Sequence, residues 1–77
     1  MAKDLEHVFG DVIRELRQER GISQEALSLS CGRHRTYISL IERGRYSPTI
    51  KTLWLLAAGL EVSPSEIIQR VERQLKP

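Results

Sequence analysis

"HRTYISLIERG", residues 34–44, decides how this chain is read. Ile38 and Ile41 are three positions apart, the spacing of one helical face, while Arg35, Thr36, Tyr37 and Ser39 occupy another side. Gly44 follows, where a helix ends in left-handed backbone. Within this helix a single carboxylate, Glu42, stands among Arg35, Arg43 and Arg45. A surface helix wanting only solubility has no use for that arrangement. A helix with one face in a core and the other against a polyanion does.

Charge along the chain supports the second reading. From Arg33 to Lys51 there are five cations (Arg33, Arg35, Arg43, Arg45, Lys51) and one anion, Glu42, a local balance of +4. The other residues hold seven basic and nine acidic side chains, a balance of −2, so the net +2 hides a cationic segment on a mildly acidic body.

Outward from residue 34 the pattern is helical throughout, without period-2 alternation long enough for a strand. Helix 1 starts after Asp4 as N-cap and runs to about Arg20, with Leu5, Phe9, Val12, Ile13 and Leu16 as its apolar stripe, and Gly21 ends it. Helix 2 is short, capped by Ser23, with Ala26, Leu27 and Ser30 expected to face inward; Cys31-Gly32-Arg33 is the turn. Helix 3 covers about His34 to Arg43. Thr49 caps helix 4, where Ile50, Leu53, Leu56, Ala57 and Leu60 recur at helical spacing. "SPSE", residues 63–66, is a capping box opening helix 5, which carries Ile67, Ile68, Val71 and Leu75. The fold class expected is all-α: one five-helix domain over residues 1–77, with a helix-turn-helix at helices 2 and 3.

Seventy-seven residues, 40% hydrophobic and 29% charged, suit one small globular domain. A single cysteine, Cys31, excludes an intramolecular disulfide and is read as a core thiol; without a Cys/His cluster no metal site is expected. His7 is read as a surface residue, and His34 lacks a second ligand at useful spacing. There is no membrane-length apolar run and no signal-like N-terminus, so the chain reads as cytoplasmic. No nucleophile–base pair, metal-ligand set or Gly-rich phosphate loop points to an enzyme, and no cofactor or small-molecule ligand is expected.

"LRQERGISQEAL" (16–27), "CGRHRTYISLIERGRYSPTIKTL" (31–53) and "LAAGLEVSPSEI" (56–67) together resemble the lambda-repressor-like (Xre-type) helix-turn-helix DNA-binding family over nearly the whole chain. The short length and "RTYISLIERG" resemble, within it, the controller proteins of restriction-modification systems. The resemblance implies a compact lambda-repressor-like domain whose helix 3 lies in the major groove with its N-terminal residues at base edges. Arg35, whose fork suits guanine O6 and N7, then joins Thr36, Tyr37 and Leu40 as candidate base contacts, with Tyr37 also placed at the core edge. Gln24 matches the family's phosphate-binding glutamine; Arg33, Ser39, Arg43, Arg45 and Lys51 are further phosphate candidates. The resemblance also sets Glu42 opposite Arg17 as a structural ion pair behind the recognition helix.

Two positions depart from the family. Arg33 stands where Val, Ile or Leu is usual, so either its methylenes lie on the core edge with the charge toward a phosphate, or the turn is repacked. His34 replaces a small cap such as Ser or Asp and is a poor cap by type.

Leu55, on the outward side of helix 4, and Ile67, Ile68, Val71 and Leu75 of helix 5 are expected to form a homodimer interface, with Trp54 at its margin. The competing expectation is that helix 5 only closes the monomer core. A dimer would present two recognition helices roughly 34 Å apart to a near-palindromic operator in double-stranded DNA. Bound there it blocks or recruits RNA polymerase; the controller resemblance implies autoregulation and activation of a neighbouring endonuclease gene. An antitoxin-like protein-binding module that retains DNA binding is the alternative, and a non-specific architectural binder a third.

Overall fold

The fold, given by a computed structural model that describes residues 4–76, has five helices: α1 Leu5–Arg20, α2 Gln24–Cys31, α3 Arg35–Glu42, α4 Ile50–Leu60 and α5 Pro64–Leu75. Among the described residues there is no strand. Each helix start is closed by a side chain that accepts a backbone N–H: Asp4 from His7, Ser23 from Ala26, His34 from Thr36, Thr49 from Thr52 and Ser63 from Glu66. At "SPSE" the Ser63 half of the capping box is made, at 3.1 Å, while the Glu66 carboxylate accepts from Arg70.

Four connections use one C-terminal device. One or two residues past the helix a residue (Gly21, Gly32, Gly44 or Glu61) takes left-handed backbone, and its N–H and that of the next residue fold back onto the last carbonyls. At the α2–α3 turn this is Gly32 (φ 64°), with Arg33 N–H donating to the Ser28 carbonyl at 2.9 Å. The turn therefore has ordinary geometry despite Arg33. After α4 the same role falls to Glu61, at φ 59°.

Val8, Phe9, Val12, Ile13 and Leu16 of α1 meet Leu27 and Cys31 of α2, Ile38 and Ile41 of α3, Leu56, Ala57 and Leu60 of α4, and Ile67 and Val71 of α5. α1 packs on α3 and α5, and α2 on α3 and α4, so α3 lies between α1 and α2. α2 turns differently from expectation: Leu27, Ser28 and Cys31 face inward, and Ala26 and Ser30 are exposed. Ser28 is accommodated because its hydroxyl donates to the Glu25 carbonyl at 2.7 Å. Burial pushes the Cys31 thiol above its usual range, against the opposing pull of Arg33, as befits a core thiol. Leu5 and Ile50, expected in the core stripes, lie in first turns that overhang the core and are exposed.

The expected interface on helix 5 is divided by the fold. Ile67 and Val71 are buried in the chain's own core, so these two are withdrawn from the interface set, while Leu55 is half-buried beside that core. Ile68 and Leu75 stay exposed. Outside the core, α5 is strapped to α1 by Arg70, which donates to Glu19 at 2.8 and 3.1 Å, and by Gln74, which donates to Glu15. Exposed pairs of this kind contribute little, so the apolar contacts of α5 dominate.

Gly10 sets how closely α1 and α3 approach. A Cβ built there would lie 2.3 Å from the Ile41 carbonyl oxygen and 2.8 Å from that of Glu42, both backbone atoms that cannot rotate away. Gly10→Ala is expected to force the helices apart and lower stability by about 1–3 kcal/mol, read from the denaturant midpoint. An unchanged midpoint would show that the contact is looser than described.

Candidate nucleic-acid interface

The site begins behind α3. Glu42 is buried at the end of the helix, 4% exposed, and an unpaired carboxylate there would be costly. Arg17 of α1 meets it in a two-pronged bond, Nε to Oε2 at 2.6 Å and Nη2 to Oε1 at 3.1 Å. The third nitrogen, Nη1, donates to the Ile22 carbonyl in the α1–α2 connection at 3.0 Å. Gln24, in the first turn of α2, donates from Nε2 to Glu42 Oε1 at 3.1 Å. Arg17 is held more firmly protonated than usual by the hydrogen bond and charge of Glu42, which outweigh its partial desolvation. The Arg17–Glu42 pair implied by the family resemblance is thus present, with Gln24 as a third member. An amide nitrogen carries two protons, so one Gln24 N–H remains for an outside acceptor.

In front of α3 lies a shallow hollow lined by Gln24, His34, Arg35, Thr36, Ser39 and Arg43. Every one of these side chains can donate a hydrogen bond, and none is a carboxylate. Arg35 and Thr36 are exposed, and Ser39 is half-buried one turn on. Arg43 is exposed, its Nε near the Ser39 carbonyl at 3.4 Å. Leu40 is half-buried; Arg45 and Lys51 are exposed beyond the helix.

Tyr37, expected either at a base edge or at the core edge, is half-buried beside α4. Its hydroxyl lies 3.3 Å from Thr52 Oγ1 of α4, and its ring meets Tyr46 edge-on at 4.9 Å. The guanidinium of Arg33 covers that ring at 5.4 Å and reaches Thr52 Oγ1 at 3.4 Å. So Tyr37 belongs to the α3–α4 junction, the core-edge side of its two expected placements. Arg33 lies over a ring rather than under the turn. Thr52, buried and hydrogen-bonded to Thr49 as well, was not singled out in the sequence; only its cap spacing from Thr49 could have drawn notice.

A second surface lies on the side of α5. One groove is lined by Leu5, Phe9, Pro48, Ile50, Leu53 and Ile68. It adjoins another that shares Leu5 and Ile68 and ends at Leu75. Ile50 is 75% exposed, Leu5 55%, Ile68 47% and Leu75 43%, enough to mark this face as apolar. Leu5 and Ile50 fit the apolar spacing of their helices, but first-turn residues satisfy that spacing whether or not another element covers them.

A two-helix unit with a glycine turn, seated on α1 and α4 with a carboxylate-free donor face outward, defines a helix-turn-helix domain. A helix-turn-helix family model matches residues 13–67, and the chain belongs to this Xre-type family. It is similar to the HTH-type transcriptional regulator y4dJ of Sinorhizobium fredii, 38% identical over 65 residues, 84% of each chain. It is also similar to control protein C.BamHI of Bacillus amyloliquefaciens, 33% identical over 69 residues, 88% of this chain and 85% of that one. In three dimensions it is similar to the restriction-modification controller protein C.Esp1396I, solved as a tetramer in complex with its natural 35 base-pair operator. The TM-score is 0.86 at 37% identity, over 95% of this chain and 96% of that one. Among the described residues no helix is long and apolar enough to cross a membrane, and no group of three or more His, Cys, Asp and Glu could hold a metal ion.

Glu42→Ala leaves Arg17 and Gln24 without their shared acceptor, an uncompensated charge that costs about 3–5 kcal/mol. In a domain this small that is a large part of total stability. A large drop in melting temperature is expected; an unchanged one would show that the pair does not hold α3.

Proposed function

We propose that this chain is a sequence-specific DNA-binding regulator of transcription, of the restriction-modification controller type, acting in the cytoplasm as a homodimer on a near-palindromic operator. The observation that carries it is the hollow at the start of α3, with six donor-bearing side chains and no carboxylate, backed by a Glu42 that Arg17 and Gln24 keep away from that face. A duplex offers the matching set of acceptors: phosphate oxygens along both strands and base-edge oxygens and nitrogens between them. The likeness to controller and HTH-type regulators supports the same reading.

Arg35 is the chief base reader, its fork directed at guanine O6 and N7, with Thr36 beside it and Leu40 against a thymine methyl. Ser39, Arg43 and the remaining Gln24 N–H hold phosphates, with Arg33, Arg45 and Lys51 flanking them. The dimer forms through the apolar face of Leu5, Ile50, Ile68 and Leu75, the exposed large hydrophobic residues lining the two grooves. Pairing by that face makes occupancy steep in protein concentration, which serves as the signal. The bound dimer blocks or recruits RNA polymerase.

Selection of bound duplexes from a random library is expected to return two inverted half-sites. Arg35→Ala is expected to relax the preference at one guanine per half-site, at a cost of ~1–3 kcal/mol. Uniform weakening on every duplex would make Arg35 a phosphate clamp and remove the base-reading claim. Sedimentation at tens of micromolar is expected to show a dimer; a monomer under those conditions would refute the proposed interface.

A further inference from the structure

We propose that His34 contacts DNA directly: while its Nδ1 caps α3, its Nε2–H donates a hydrogen bond to a phosphodiester oxygen. This rests on the DNA-binding reading above.

The cap fixes the tautomer. Thr36 N–H donates to His34 Nδ1 at 3.1 Å, so Nδ1 carries a lone pair and no proton. In the neutral ring the proton then sits on Nε2, which is a donor only. His34 is exposed, with its ring on the rim of the hollow that also holds Arg35, Thr36, Ser39 and Arg43. A carboxylate cap would satisfy the same backbone N–H but turn a negative charge toward that rim. The imidazole satisfies it and adds a donor on its far edge. Capping by type therefore understates this residue: two ring nitrogens serve two partners at once.

The acceptor is a phosphate rather than a base edge because of where the ring stands. His34 stands one residue before Arg35, where the base-reading stretch of α3 begins, and helix N-termini also bond phosphate oxygens. The positive end of the α3 dipole also favours an anion there. Ser39 and Arg43 in the same hollow supply further donors for the strand, and no carboxylate opposes it.

Two substitutions separate the contact from the cap. Glycine is tolerated at an N-cap with little loss of stability, and offers neither donor nor charge. Aspartate caps well but places an anion on the rim. Binding is measured on one duplex carrying the sequence selected with the wild-type chain. His34→Gly is expected to bind about tenfold more weakly, the loss of one hydrogen bond to a charged group. His34→Asp is expected to bind more weakly still, with a melting temperature equal to or above that of wild type. Nitrogen-15 spectra of the free protein should show the Nε2–H tautomer at position 34. The proposal is overturned if His34→Gly binds within about twofold of wild type, or if the ring is the Nδ1–H tautomer. Failure of the wild-type chain to select any duplex would instead overturn the DNA-binding reading itself.

Discussion

A carboxylate at the end of a DNA-facing helix is tolerable only if something else owns it. Here Arg17 does. Its three guanidinium nitrogens reach Glu42 and the Ile22 carbonyl, so one side chain ties α1 both to the end of α3 and to the segment that leads into α2. Gln24 adds α2 to the same point. Taking two such charges out of water costs several kcal/mol apiece, and only a fully bonded arrangement repays it. Glu42 has three such bonds, and among the described residues no buried side-chain nitrogen or oxygen lacks a hydrogen-bond partner. The knot is therefore better regarded as fixing the orientation of α3 than as a large net source of stability.

Two further contacts complete that orientation. Gly10 lets α1 approach the Ile41 and Glu42 carbonyls, so the C-terminal end of α3 is held by close packing as well as by charge. At the side of α3, Tyr37 and Arg33 meet the buried hydroxyl of Thr52 and bind α3 and its turn to α4. What remains free is the N-terminal front, Arg35, Thr36 and Ser39 with His34 at its rim. Restraint on three sides leaves one face to present, and charge complementarity says to what. The apolar face of α1, α4 and α5 lies elsewhere in the molecule, so pairing of two copies need not compete with the duplex.

Much of this was legible beforehand, and the failures have physical reasons. Caps are local: Asp4, Ser23, Thr49 and Ser63 each satisfy an N–H within three residues, and the structure has them where the sequence put them. The inward faces of α1 and α3 followed from Ile38, Ile41 and the α1 stripe. α2 did not, because eight residues give two turns, too few for spacing to choose between Ala26 and Ser28. On α5, Ile67 and Ile68 are neighbours about 100° apart around the helix, and only the position of α1 decides which is buried. Gly10 carries no motif at all; its role exists only once α3 has been placed against α1. Tyr37 could serve groove or core equally by type, and its contact with the Thr52 hydroxyl across the α3–α4 junction exists only once α4 is placed. His34 as a cap was obscured because imidazole accepts a backbone N–H only in one of its tautomers.

The claim on which the rest depends is that Arg17 holds Glu42 behind α3 whether or not a duplex is bound. Proton–nitrogen spectra of the arginine side chains test it directly. The account predicts one slowly exchanging, downfield Arg17 Nε–H resonance in the free protein that persists unchanged on the operator, distinct from the fast-exchanging signals of the exposed Arg35 and Arg45 in the free chain. An Arg17 Nε–H that exchanges as fast as those exposed groups would contradict it.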